Sequence, residues 1–113
     1  MLILHGYPYN SYDWALVWEA LTSQFTVILP DMLGMGFSDK PHNHHYSYEE
    51  HVALYCALLK MLNVSEAHVL AHDLGNSVVQ EMIALEAEDK LPVILKSIAF
   101  LNGSFLWMFI NLV

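Results

Sequence analysis

The chain contains no arginine, and its four cationic side chains are all lysines, set against 12 acidic ones for a net charge of −8. A nucleic-acid surface needs a basic face to neutralise phosphates, so that class of partner is excluded. There is a single cysteine, Cys56. An intramolecular disulfide is therefore excluded, and a reducing compartment is the natural reading. Cys56 lies in an apolar stretch with helical spacing and is expected in the core. Charged residues make up only 14% of the sequence. That scarcity argues against a disordered, solvated chain. No internal repeat or low-complexity tract is present, and the opening "MLILHGYP" lacks the basic stretch and long apolar run of a signal peptide.

What is present is apolar: 56% of the 113 residues are hydrophobic. A chain this long makes one domain, burying roughly 65% of its unfolded surface. Four short apolar runs read as buried strands: Leu2 to Leu4, Thr26 to Leu29, Ala67 to Ala71 and Ser97 to Leu101. Three helical stretches lie between them. Trp14, Val17, Trp18 and Leu21 form the stripe of the first. In the second, Ser47 and Glu50 are spaced as a capping box, ahead of Val52, Tyr55, Leu58, Leu59 and Leu62. In the third, Leu74, Val78, Met82 and Leu85 share a face, with Pro92 beyond its end. This alternation predicts an α/β fold with a mostly parallel sheet of about four strands and three flanking helices. Residues 93–113 are apolar enough to suggest a membrane span, but Lys96, Asn102 and Gly103 interrupt them and "SIAFL" fits a strand better.

Ligand sites in such sheets lie beyond the carboxyl ends of the strands. Every unusual loop here follows a strand: "HGYP", "PDMLGMGFS", "HDLGN" and "NGS". The third carries Ala71-His72-Asp73-Leu74-Gly75, a small-x-nucleophile-x-small corner. A carboxylate is already ionised at neutral pH and can attack a saturated carbon to form an ester. A base is then needed only to activate water. Two readings of Asp73 stay open here: nucleophile, or plain N-cap of the helix that follows, a role worth about 1 kcal/mol. If it is a nucleophile, the oxyanion donors are the backbone N–H groups of Leu74 and Tyr7, with Gly6 allowing close approach and Pro8 lacking an N–H. His5 is expected to be structural. Gly34 and Gly36 match a phosphate loop weakly, since no lysine follows in position, so a turn held by Asp31 and Ser38 is expected. His42, His44 and His45 lack metal-ligand spacing and read as a solvated loop; His51, His68 and His72 are read equally plainly. No metal and no cofactor are expected.

These motifs together resemble the α/β-hydrolase fold family over residues 1–103. "HGYP", "PDMLGMGFSDKP" and "LAHDLG" resemble its aspartate-nucleophile branch of epoxide hydrolases and haloalkane dehalogenases. "SYDW", "GFSDKPHNHHYS", "AHDLGNSVVQE" and "LNGS" are similar to the mesoderm-specific-transcript-like subgroup. The resemblance implies Asp73 as nucleophile, Tyr7 and Leu74 as oxyanion donors, and a small apolar substrate. It also implies an intracellular, endoplasmic reticulum-associated setting. Leu74 and Tyr7 stand where dehalogenases usually carry halide-holding tryptophan and asparagine, and epoxide hydrolases usually read "HDWG". The family's cap, catalytic histidine and acid partner come later than residue 113, and two strands normally precede "LILHG". None of the seven histidines matches the catalytic position. The expectation is a partial hydrolase core, with residues 104–113 as a divergent apolar tail from an alternative ending or an incomplete gene model. Such a core would activate the nucleophile without hydrolysing its ester, or serve only as a binding or regulatory module. Its sheet edges would invite self-association; membrane association has no further support.

Overall fold

A computed structural model describes residues 1–103. The expected apolar tail, 104–113, lies outside the described residues. Three parallel strands, β1 (Leu2–Leu4), β2 (Glu66–His72) and β3 (Ile94–Leu101), form a sheet in the order β1-β2-β3. The register pairs Leu4 with Ala71 and His72 with Leu101, so the strands end together.

The expected second strand, Thr26 to Leu29, is reduced to one parallel bridge from Ile28 to Leu2. Ile3 N–H donates to Ile28 O and Ile28 N–H to Met1 O, both at 2.9 Å, and no ladder extends beyond them. Pro30 follows at once, with no N–H to continue pairing. β3 begins three residues earlier than expected and is half exposed rather than buried.

α1 (Trp18–Thr22) is preceded by a 3-10 turn at Ser11–Val17. Of the stripe expected there only Trp14 is buried; Val17 and Trp18 are 45% and 40% exposed. The 3-10 turn changes the periodicity from 3.6 to 3.0, so the stripe does not stay on one face.

α2 (Tyr48–Met61) and α3 (Leu74–Ala87) behave as the pattern predicts. Val52, Tyr55 and Leu59 of α2 and Val78, Val79 and Met82 of α3 join Leu2, Leu4, Val69 and Ala71 in one core. At the end of the α2 stripe, Leu62 is half exposed. The Ser47 hydroxyl accepts from Glu50 N–H at 3.1 Å, but the reciprocal half of the box is absent. The Glu50 carboxylate instead takes His44 Nε2, at 2.8 and 2.9 Å, and the His44 ring packs edge-on to Tyr46. His44 is therefore a tether between its loop and α2 rather than a solvated side chain. Cys56 packs partly buried against the core, and burial raises its thiol above the ordinary value.

Candidate active site

The strand ends bring three loops to one mouth. β2 runs straight into α3 through Asp73, whose φ of 52° and ψ of −116° lie outside the comfortable regions for an L residue. Such a conformation costs about 1–3 kcal/mol and persists only where the surroundings impose it. Two neighbours show how they do so. A Cβ on Gly75 would lie 2.6 Å from Leu4 O, so only glycine lets α3 approach β1 this closely. The Asp73 N–H donates to Leu101 O at 3.2 Å, and the Asp73 carbonyl accepts from Asn76 N–H at 3.0 Å.

The side chain of Asp73 makes no cap hydrogen bond to its own helix. Asp73 stands at the N-cap position of α3, but its side chain does not do the capping. Its Oδ1 instead accepts the Tyr7 N–H, 66 residues away in sequence, at 2.9 Å. Its Oδ2 has no hydrogen bond among the described residues. Gly6 makes the approach possible: a Cβ there would lie 2.6 Å from Asp73 Cβ. Leu74 is the first residue of α3. Its N–H is thus one of the four that a helix leaves unpaired at its start. Tyr7, Asp73 and Leu74, expected together from sequence, are brought together. The helix N-terminus and the aligned N–H groups favour negative charge here.

The other singled-out residues frame this mouth. His5 is fully buried; Met32 N–H donates to its Nε2 at 2.9 Å, so the ring proton sits on Nδ1 and faces Gly6 O at 2.9 Å. The ring pins the Tyr7 loop to the following one, the structural role expected of it. In that following loop, Gly34 and Gly36 both have positive φ, as a turn requires. Asp31 Oδ1 accepts from Ser11 N–H at 2.7 Å and Oδ2 from Phe37 N–H at 2.8 Å, while the Ser38 hydroxyl donates to Asp31 O at 2.6 Å. Burial raises the Asp31 carboxyl, but the Phe37 and Ser11 N–H groups outweigh it and hold the carboxyl below its ordinary value. Nothing in this loop is arranged for phosphate.

His42 and His45 are exposed. His51 is buried at the first turn of α2, which lowers its affinity for a proton despite the neighbouring Glu50. His68 meets the Ser97 hydroxyl at 2.7 Å on the sheet surface. Among the described residues, no group of three or more His, Cys, Asp or Glu could hold a metal ion, and no histidine is hydrogen-bonded to Asp73. None of the helices described there is long and apolar enough to cross a membrane.

Two cavities differ in their relation to the mouth. One of about 460 Å³, lined by His45, Tyr46, Tyr48, His51 and Leu74, lies against the start of α3. Another of about 650 Å³, lined by Cys56, Leu59, Lys60, Val64, Pro92 and Val93, opens at the amino ends of β2 and β3, away from Asp73. From sequence, Asn76 reads only as a small residue that lets α3 pack close to the strand; the structure buries it in the first turn of α3 with its Nδ2 donating to Leu101 O at 3.1 Å. A polar residue on the inner side of an otherwise small and apolar turn was the available signal.

Comparison with known proteins agrees with this geometry. The sequence profile of the alpha/beta hydrolase fold family matches residues 1–111. The chain is 41% identical over 107 residues to the mesoderm-specific transcript homolog protein of Homo sapiens, covering 91% of this chain and 32% of that protein. It is 37% identical over 78 residues to a soluble epoxide hydrolase of Corynebacterium sp. strain C12, covering 69% of this chain and 27% of that one. An alpha/beta hydrolase fold protein from Burkholderia ambifaria superposes with a TM-score of 0.79 at 27% identity, over 94% of this chain and 37% of its own. The chain thus spans about a third of the length of the curated relatives it matches. With the profile matched along nearly its whole length and an aspartate raised in a strand–helix corner, the chain belongs to the α/β-hydrolase fold family.

Proposed function

We propose that this chain carries the nucleophile and oxyanion donors of an ester-forming hydrolase of the epoxide hydrolase-like, mesoderm-specific-transcript-like type. One observation carries the reading: Asp73 is held by a single oxygen. With Oδ1 on the Tyr7 N–H at 2.9 Å, Oδ2 is left free to attack. In the first step Oδ2 attacks an electrophilic carbon of a small apolar substrate such as an epoxide. A C–O bond forms, the ring C–O bond breaks, and the leaving oxygen takes a proton from solvent or from an acid elsewhere in the longer protein. In the second step water attacks Cγ of Asp73. The negative charge then develops on Oδ1, the oxygen that already faces the Tyr7 N–H, with the Leu74 N–H as second donor. Collapse expels the alcohol and restores the carboxylate, so the net reaction adds water to the epoxide.

The apolar part of the substrate would rest in the 460 Å³ cavity beside Leu74, whose walls include Tyr46 and Tyr48. The base for the second step belongs to the length of the relatives that this chain does not span. No histidine hydrogen-bonded to Asp73 was found among the described residues, and this favours a second reading. In it the chain stops at the ester, or acts only as a binding or regulatory module, pairing with copies of itself through its sheet edges. Endoplasmic reticulum association belongs to the same proposal and is supported by resemblance alone.

The test is incubation of the purified chain with an aryl epoxide, followed by mass spectrometry and diol assay. A stable adduct on Asp73 without turnover supports the half-reaction. Repeated turnover abolished by Asp73→Asn overturns the inactive reading. No adduct and no diol sinks the nucleophile.

A further inference from the structure

We infer that Asn76 is a positioning residue for Asp73, a side-chain latch that ties the strained corner to the end of β3; this rests on the reading of Asp73 as nucleophile. The observations concern one carbonyl. Leu101 O accepts both the Asp73 N–H, at 3.2 Å, and the Asn76 Nδ2, at 3.1 Å. The Asn76 N–H in turn donates to the Asp73 carbonyl at 3.0 Å. Asp73, Asn76 and Leu101 thus form a closed ring of hydrogen bonds on the underside of the nucleophile. A carbonyl oxygen can only accept, so the carboxamide nitrogen, not its oxygen, must face Leu101.

The latch is built rather than incidental. Asn76 is 1% exposed, and its Oδ1 has no hydrogen-bond partner among the described residues. An unsatisfied buried amide oxygen costs about 1–3 kcal/mol, so an apolar residue of similar volume would make a more stable fold. A group kept at a cost to stability points to a task at that place. Gly103 completes the cradle, because any Cβ at that position would collide with the Asn76 carboxamide. Gly103, two residues beyond β3, therefore fits closely against this side chain.

The task follows from the geometry of Asp73. Its positive φ relaxes if the peptide is free to turn, and turning would carry Oδ1 off the Tyr7 N–H. The backbone bond to Leu101 resists that rotation from one side. Asn76 fixes Leu101 O itself and thereby resists it from the other.

The experiment compares the full chain with Asn76→Leu, Asn76→Ala and Gly103→Ala. It reads melting temperature, amide hydrogen exchange of Tyr7 and Asp73, and the kinetics of adduct formation with styrene oxide. The expected result for Asn76→Leu is an unchanged or higher melting temperature with amide exchange at Tyr7 at least roughly tenfold faster. Its maximal adduct rate falls roughly 10- to 100-fold while the half-saturating epoxide concentration stays put. Gly103→Ala should reproduce the exchange change with Asn76 still present. Wild-type exchange at Tyr7 and Asp73 in a folded Asn76 variant overturns the latch, as does a rate loss that merely tracks a fall in melting temperature. If Asn76→Leu fails to fold, Asn76→Ala and Gly103→Ala decide by the same readings. If the wild-type chain forms no adduct, the nucleophile reading fails, whereas the exchange comparison still decides the latch.

Discussion

Asp31 and Asp73 stand in matching places and are used in opposite ways. Each lies in a loop beyond an extended stretch, each accepts a backbone N–H from a neighbouring loop, and each faces a glycine whose Cβ would press on it. Asp31 spends both oxygens, one on Ser11 N–H and one on Phe37 N–H. Asp73 spends one, on Tyr7 N–H. A carboxylate with both oxygens committed is a clamp: its charge stabilises the fold and nothing is left over for chemistry. A carboxylate with one committed oxygen is oriented and still able to react. The backbone differs as well, since positive φ falls on Asp73 itself but on Gly34 and Gly36, not on Asp31. Strain is tolerated at the aspartate proposed to react and delegated to glycine at the structural one.

The contrast can be broken most directly by neutralising each acid. Asp73→Asn should cut the rate of epoxide adduct formation by at least about 1000-fold, equivalent to about 4 kcal/mol. Asp31→Asn should leave that rate within about twofold, because none of its contacts reach the reacting oxygen. Intact-mass time courses on both variants check this, and equal losses would erase the distinction between clamp and nucleophile.

The two glycines come next. Gly6→Ala forces the Tyr7 loop off Asp73 and should slow adduct formation roughly 10- to 100-fold with a modest change in melting. Gly36→Ala meets the Asp31 carboxylate at a φ of 55° and should cost about 2 kcal/mol of stability instead. Urea unfolding beside the adduct assay separates the two outcomes.

Asp31→Asn keeps one acceptor for two N–H donors and should lose about 1–2 kcal/mol in urea unfolding.

The smallest effect is in the pH dependence. The Asp31 carboxyl is held below its ordinary value in the fold, so its contribution is present above about pH 4 and is lost as pH falls through the lower folded value. Asp31→Asn should flatten that part of the unfolding profile. His51 resists protonation because it is buried. Its penalty therefore begins higher, as pH falls below about 6.5, and His51→Phe should flatten that window while leaving the one at Asp31. Coincident slopes in both variants would show that neither group is responsible.

Periodicity alone placed α2 and α3, because one face of each is buried and a buried face must repeat every 3.6 residues. It also placed β1, which is buried throughout, and β2, in which buried Ala67, Val69 and Ala71 alternate with half-buried residues. It misjudged the stretch from Trp14 to Leu29, where apolar side chains such as Val17 and Trp18 are exposed and Ile28 makes only a bridge. An apolar pattern records what could be buried, not whether a partner surface is there to bury it. The half-formed capping box has a related cause: Glu50 had a competing partner in His44, six residues earlier, which no local motif encodes.

The sequence by itself determined the corner: a small residue, an aspartate and a glycine between an apolar strand and a helix, with glycines in the loops that would have to approach. Local backbone chemistry is short-ranged, and so it can be read from neighbours. Only the tertiary structure decided that the Asp73 side chain makes no cap bond to its own helix, that one of its oxygens accepts the Tyr7 N–H and that Asn76 shares the Leu101 carbonyl with it. Those partners lie 66 residues from Asp73, at Tyr7, and 25 from Asn76, at Leu101. Which distant N–H or C=O arrives at a carboxylate depends on how strands register and helices pack, and no local spacing carries that information.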